Sequence, residues 1–428
     1  MIPRSGHIIS RANISESALK VLYRLKKAGF SAYLVGGCVR DLLLGREPKD
    51  FDVTTDAKPE QIRDMFRNCR LIGRRFRLAH VRFGENLIEV STFRSHPGKG
   101  LDENGRIVND NVYGTLEQDV WRRDFSINAL YYNIRDFSVV DYTGGIEDLK
   151  TGQLRLIGDP VTRYREDPVR MLRAVRFAAK LGFRLHPDSE APIWELAPSL
   201  QEIPPARLFE EVLKLFLGGY AIQSFELLRH FRLFEWLFPQ TEACLAVEEN
   251  HFPQTFLIRA LSNTDARIVE GKPVTVAFLF AALLWEPIRR QLAEHYQQEN
   301  VLEIQAMQEA VETVLAKQTT YIILPRRFLL PMREIWYLQP RFAYRYGRHP
   351  LHLLQHPRFR AAYDFLLLRM QSGEQPKEYE LEELCQWWTG IQEMEEKERL
   401  RYVKTLASSR YRYKSRKRKN KLRVSAEI

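Results

Sequence analysis

The stretch YLVGGCVRDLLLGREPKDFDVTT, residues 33–55, decides how this chain is read. An apolar run ends in Gly36–Gly37 and a short amphipathic helix over Val39–Leu44 follows at once. A glycine turn running into a helix leaves backbone N–H groups and the positive helix end facing outward, which is the chemistry of a phosphate cradle. Arg40, one turn into that helix, can reach back to an anion. Asp50 and Asp52 follow as residues i and i+2 of the next strand, a spacing that turns both carboxylates to one face. Two such groups repel unless a cation lies between them, and hard oxygen ligands beside a phosphate suit Mg²⁺. Taken singly, a Gly-Gly pair is a turn and Asp-x-Asp a solvated strand edge. Both within one strand–helix–strand unit, with Arg40 between them, point to a phosphate and metal site.

Outward from that unit, the first third of the chain mixes short helices and strands. Ala18, Val21, Leu22, Leu25 and Ala28 recur at helical spacing behind Ser15 as N-cap, with Gly29 as the stop. Strand patterns are expected at Ala32–Val35, Phe51–Thr54, Leu78–Phe83, Leu87–Phe93, Ala129–Ile134 and Val139–Tyr142, with a further helix over Pro59–Arg67. Ser95–Asn111, rich in Gly, Asn and charge, reads as a mobile loop. From Arg163 onward strand signals fade and helical spacing takes over. The class is α+β, a mixed sheet domain followed by helices.

Composition bounds the function. With 428 residues, 45% of them hydrophobic and 28% charged, the chain can bury a full core, which excludes a disordered or collagen-like protein. The formal charge of +11 favours a polyanionic partner. Four widely separated cysteines, with no Cys-x-x-Cys pair, argue against a zinc ribbon and fit a reducing compartment. The polar N-terminus is unlike a signal peptide. The longest apolar stretch, Val274–Trp285, is too short to cross a bilayer, so a buried helix, a cytoplasmic location and no membrane insertion are expected.

Two more segments carry chemistry. WRRDFSINAL, residues 121–130, sets paired arginines and Asp124 before a strand, and EDPVRMLRAVRFAAKLGF, residues 166–183, opens a helix with two acids and then places Arg170 and Arg173 nearly one turn apart. A solvated basic face is the plain reading of that helix. Its alternation with Met171, Leu172, Val175 and Phe177 assigns one side to the core.

LVGGCVRDLLLG with DFD, IEVSTFR, RRDFSINAL and EDPVRMLRAVRF stand in order between Tyr33 and Phe183. This sequence resembles the class II nucleotidyltransferases of the polymerase β superfamily, the bacterial poly(A) polymerases and tRNA CCA-adding enzymes. The resemblance implies a polymerase β-like sheet domain followed by a helical neck, body and leg, with bounds at 1–30 for the lead-in helix, 31–158 for the catalytic domain, 159–220 for the neck, 221–409 for the body and leg, and 410–428 for a basic tail. It implies that Asp50 and Asp52 hold two Mg²⁺ ions, with Glu89 as a third carboxylate whose plain alternative is an outward strand residue. Gly36, Gly37 and Arg40 would grip the triphosphate of ATP. Asp124 is tied to the active site and Arg123 to the nucleotide. Glu166, Asp167 and Arg170 correspond to side chains that read the incoming base edge, with Arg173 as a further nucleotide contact.

Within the family, FRNCRLIGRRFRLAHVRF, residues 66–83, resembles the poly(A) polymerase version. None of the ten histidines is followed by Asp, so the HD phosphohydrolase domain that some CCA-adding enzymes append is not expected. The expected activity is adenylate addition to RNA 3′ ends, the alternatives being CCA addition to tRNA or an inactive RNA-binding adaptor. Arg74, Arg75, Arg77, Arg176 and Lys180 are candidate RNA contacts, joined by Arg416, Lys417, Arg418 and Lys419 in the tail. RNA-decay or RNA-chaperone proteins are candidate partners. RYRYKSRKRKNKLR, residues 410–423, holds nine basic residues and no acidic one, and reads either as an RNA clamp with Tyr411 and Tyr413 as stacking platforms or as a solubilising tail. Glu374–Glu398, with nine glutamates, is expected as a solvated helix.

Overall fold

Helix α1 (Glu16–Lys27) begins where its capping chemistry sets it: Ser15 Oγ accepts from the Ala18 N–H at 3.2 Å. Val21, Leu22 and Leu25 form its buried stripe, and Arg24, Lys26 and Lys27 complement the negative end of its dipole. Gly29, at φ +90°, ends it. The computed structural model describes residues 1–73, 77–95, 112–246, 255–295, 303–376 and 379–404.

Seven strands form one mixed sheet in the order β3 (Cys69–Ile72), β4 (Leu78–Phe83), β5 (Asn86–Thr92), β2 (Asp52–Thr55), β1 (Ala32–Val35), β6 (Tyr131–Asn133) and β7 (Val139–Val140). All neighbours pair antiparallel except β2 and β5, whose parallel register sets Asp52 opposite Glu89. Helix α2 (Gly37–Leu43) connects β1 to β2, and α3 (Pro59–Met65) follows. The β7 edge is closed by two backbone hydrogen bonds between Ile2 and Val139.

Three local readings change. Strand β2 starts at Asp52, so Asp50 lies in the approach to the strand and the two carboxylates do not share one strand face by period-2 alternation. Strand β3 was hidden in an arginine-rich stretch without apolar alternation. The strand expected from Ala129 starts at Tyr131, because Ser126–Asn128 forms a 3₁₀ turn.

The chain divides into two compact units, one of residues 1–203 with 230–233 and the other of 204–229 with 234 onward. The stretch 159–220 therefore contributes to both. In the first unit α4 (Leu116–Trp121) and α5 (Gly145–Thr151) flank β6 and β7 in sequence, and α6 (Pro160–Glu166) leads to α7 (Val169–Leu181). A small parallel pair, Gln153–Leu154 with Arg184–Leu185, brackets α6 and α7, so strand structure does not end at Arg163.

The second unit is helical throughout its described residues. The apolar stretch 274–285 forms the helix Val276–Leu283 and opens the next, Trp285–His295, with Leu279 to Trp285 all buried. No described helix is long and apolar enough to cross a membrane. The acidic segment is two-faced: helix Leu381–Glu393 buries Leu384, Cys385, Trp388 and Ile391, and Trp388 Nε1 donates to the Phe342 carbonyl at 2.9 Å. It is a core helix with an acidic outer side, in place of the expected solvated one. Of the loop expected at Ser95–Asn111, residues 96–111 lie outside the described residues, as does the whole basic tail.

Candidate active site

Gly36 sits between β1 and α2 at φ 77° and ψ −135°, a conformation that favours glycine. A Cβ on Gly36 would stand 3.8 Å from Arg123 Nη1, and one on Gly37 would stand 3.5 Å from Arg40 Nη2. Two guanidinium groups thus converge on the turn that opens α2. Arg40 is not a free arm, however, since it is 2% exposed, with Nη1 donating to Asn128 Oδ1 and Nε to Asp41 Oδ1, each at 2.8 Å. Its Nη2, the edge turned to Gly37, pairs with Asp41 Oδ1 at 2.7 Å, so instead of reaching back to an anion Arg40 braces the turn with its charge already met.

Asp52 faces a cleft of about 210 Å³ lined also by Glu89, Arg94, Asp119, Arg122 and Arg123. Burial pushes its carboxyl up to about 6, helped by the negative charges of Glu89 and Asp50 and opposed by Arg123. Three acids therefore act on one another at this spot, although Asp50 is exposed and comes from the approach loop. Glu89 Oε1 is hydrogen-bonded with His80 Nε2 at 3.1 Å across β4 and β5. Among the described residues, no three His, Cys, Asp or Glu side chains form a group that could hold a metal ion, so the three-carboxylate set expected with Glu89 is not assembled. The crowding of Asp50 and Asp52 still fits Mg²⁺, which uses one or two protein carboxylates and completes its shell with phosphate oxygens and water.

The opposite wall is a set of aimed arginines. Arg123 Nε donates to Tyr131 Oη at 2.5 Å and Nη2 to Asp119 Oδ2 at 3.1 Å, while Tyr131 Oη donates to the same Asp119 oxygen at 2.7 Å. Burial would lower the Arg123 pKa, but Tyr131 and Asp119 hold it above its ordinary value. Asp119 and Tyr131 were not singled out in the sequence. The signal available was the i, i+4 spacing of Asp119 and Arg123 at the end of α4.

Behind this wall, Asp124 accepts from Arg173 Nε at 2.8 Å, from its Nη2, and from the Phe125 N–H at 2.8 Å. Burial alone would raise Asp124, yet the charge and hydrogen bonds of Arg173 bring it down to about 2. Glu166 bridges Arg163 and Arg170 at 2.8 and 2.9 Å, and Arg163 Nη2 donates to the carbonyls of Arg122 and Arg123, each at 2.7 Å. Glu166 and Arg170 are thus closed on each other. Their shared task in this arrangement is to hold the arginine pair in place, and Arg163, the central residue of the clamp, was legible only as part of a basic cluster.

Of the expected RNA contacts, Arg77 pairs with Glu60 at 2.9 Å and remains about half exposed. Arg176 lies 4.4 Å from the centroid of Phe177, a ring approached also by Arg40 and Arg173 at 5.6 and 5.4 Å. Lys180 is exposed and within electrostatic reach of Arg40. Arg74, Arg75 and Arg416 to Lys419 lie outside the described residues.

Three family models match the chain: the poly A polymerase head domain over residues 32–155, a probable RNA- and SrmB-binding site of polymerase A over 182–245, and the polymerase A arginine-rich C-terminus over 299–423. The chain is 50% identical over 400 residues to poly(A) polymerase I of Escherichia coli O6:H1, covering 92% of this chain and 85% of that one. It is 39% identical over 210 residues to the CCA-adding enzyme of Lactobacillus helveticus, covering 49% and 52%. A solved tRNA-processing enzyme in its apo form shares the fold at a TM-score of 0.61 and 24% identity, covering 91% of this chain and 94% of that one. Asp52 lining a cleft with Arg123 beside a glycine turn, on a chain 50% identical to poly(A) polymerase I over 92% of its length, places it in the poly(A) polymerase family of class II nucleotidyltransferases.

Proposed function

We propose that this chain is a template-independent polynucleotide adenylyltransferase, which transfers AMP from ATP to RNA 3′ ends and releases pyrophosphate. The observation that carries this reading is the extent of likeness: poly(A) polymerase I matches 92% of the chain, against 49% for the CCA-adding enzyme.

Phosphoryl transfer calls mainly for positioning and charge neutralisation. The Gly36–Gly37 turn lets a triphosphate approach the backbone closely, while Arg123 offsets its charge and Arg40, held by Asp41 and Asn128, supports the turn. Asp50 and Asp52 are the residues that would hold Mg²⁺, which when bound lowers the pKa of the attacking 3′-hydroxyl and neutralises the leaving pyrophosphate. Glu166, Asp167 and Arg170 match the family's base-reading motif, and Glu166 in addition holds Arg163, whose Nη2 fixes the backbone of Arg122 and Arg123 beside the cleft. The four cysteines are unbridged, three buried and Cys69 half-buried, which supports a cytoplasmic setting.

The test pairs ATP alone and ATP plus CTP with an unstructured RNA and with a tRNA lacking its 3′ end. A long A-tract on the unstructured RNA is expected, and CCA completion without a tract would overturn the reading. In the same assay Asp50→Ala and Asp52→Ala should each abolish AMP incorporation with the circular dichroism spectrum unchanged.

A further inference from the structure

Helix α4 ends in Trp121, whose indole is 51% exposed at the last position before the active-site arginines. A single exposed tryptophan is ordinary, and it is a second ring and a cation beside it that make this place a candidate site. Tyr142 is 46% exposed, and the two rings help line one groove of about 270 Å³ in the first unit. Arg155 and His186 also line this groove. Asp148 engages Arg155 through Nε alone at 3.3 Å, and 40% of the arginine side chain remains exposed, so the guanidinium keeps donors for a second acceptor.

The groove is built on the back of the active-site segment. Ser126 N–H donates to the Arg155 carbonyl at 3.0 Å and Ile157 N–H to the Asp124 carbonyl at 2.8 Å, an isolated antiparallel bridge that ties residues 124–126 to 155–157. One side of this segment sends Arg122 and Arg123 into the cleft, and its neighbours Trp121 and Ser126 line the groove.

Two exposed aromatic rings with an exposed guanidinium beside them, one residue away from a nucleotide-transfer site, fit the chemistry of an unpaired nucleobase and its phosphate. Leu156, Ile157 and Pro160 also line the groove and Asp188 stands at it, but the two exposed rings beside a guanidinium favour a flat base with a phosphate over a peptide. We propose that this groove is a second RNA site, in which a nucleotide of the RNA substrate upstream of its 3′ end stacks on Trp121 and Tyr142 with its phosphate on Arg155. The inference rests on the reading that RNA is the substrate.

The experiment measures binding and catalysis separately. Fluorescein-labelled oligo(A) is titrated against the full chain and its Trp121→Ala, Trp121→Phe and Tyr142→Ala variants, and AMP incorporation is followed on the same RNA. Base–aromatic stacking leads us to expect Kd and the KM for RNA to rise roughly tenfold in each alanine variant. The Trp121→Phe variant should stay within about threefold of wild type, because a flat ring is restored. The KM for ATP and kcat at saturating RNA should not move. Both side chains are exposed, so neither change touches the core. Unchanged oligo(A) affinity and KM in the alanine variants would overturn the groove while leaving adenylate transfer intact. Loss of oligo(A) affinity in those variants of a chain that incorporates no AMP would uphold the groove as an RNA site and overturn the adenylyltransferase reading instead.

Discussion

Asp124 shows what a single buried charge contributes here. Its carboxyl is brought to about 2, well below the usual carboxylate range near 4, because Arg173 and the Phe125 N–H bind its ionised form. A group whose folded-state pKa is depressed adds stability that is complete above its unfolded pKa and disappears as pH falls through its folded pKa. The Asp124–Arg173 contribution should therefore be full above about pH 4 and be lost toward about pH 2. Arg173→Gln leaves Asp124 buried without its partner and should cost about 3–5 kcal/mol near neutral pH. The gap in thermal midpoint between variant and wild type should narrow as pH is lowered from 5 to 2, and a gap that stays constant would show that Asp124 is not the group involved. The sequence marked Asp124 and Arg173 as functional through the family motifs, but their partnership joins residues 49 apart and no spacing rule exposes it.

At the scale of the element, the β1–α2 junction is where sequence and structure agree most closely. Gly36–Gly37, the helix behind them and strand β1 were all legible, because a glycine pair between an apolar run and an amphipathic run has few alternatives. Strand β3 was not, since Arg70 within it breaks the apolar pattern and its pairing with β4 is a tertiary choice. Asp50 and Asp52 were legible as a pair, yet strand alternation does not relate them, since Asp50 lies in the approach to β2, while the parallel β2–β5 register sets Asp52 opposite Glu89. The bracing role of Arg40 was hidden because its distance along the helix says nothing about Asn128, which arrives from a remote turn. The junction makes a clear prediction. Gly36→Ala must adopt a conformation that L-residues avoid, so about 1–3 kcal/mol of stability should be lost. AMP incorporation should fall by a larger factor than this stability loss explains, read as kcat/KM for ATP at a temperature where the variant remains folded.

For the molecule as a whole, charge has a distribution that its sum conceals. Residues 410–428 hold nine of the 65 basic residues and one of the 54 acidic ones, which leaves the rest of the chain at +3. A chain ending at residue 409 should therefore bind ATP unchanged but hold RNA more weakly. Each RNA phosphate that the shortened chain no longer neutralises should flatten the slope of log K against log salt by about 0.7. An unaltered slope would show that the tail serves solubility. The hydrogen bonds that tie residues 122–126 to their surroundings have a different reach. Arg163 grips two carbonyls from α6, and Ile157 and Arg155 hold the segment from the other side. The segment is therefore anchored on both flanks, and its amides should exchange with those of α6 and α7 in one opening event, as hydrogen exchange would read. Local fraying alone should not release the arginine wall, and the arginines that line the cleft are expected to share the stability of the helices behind them.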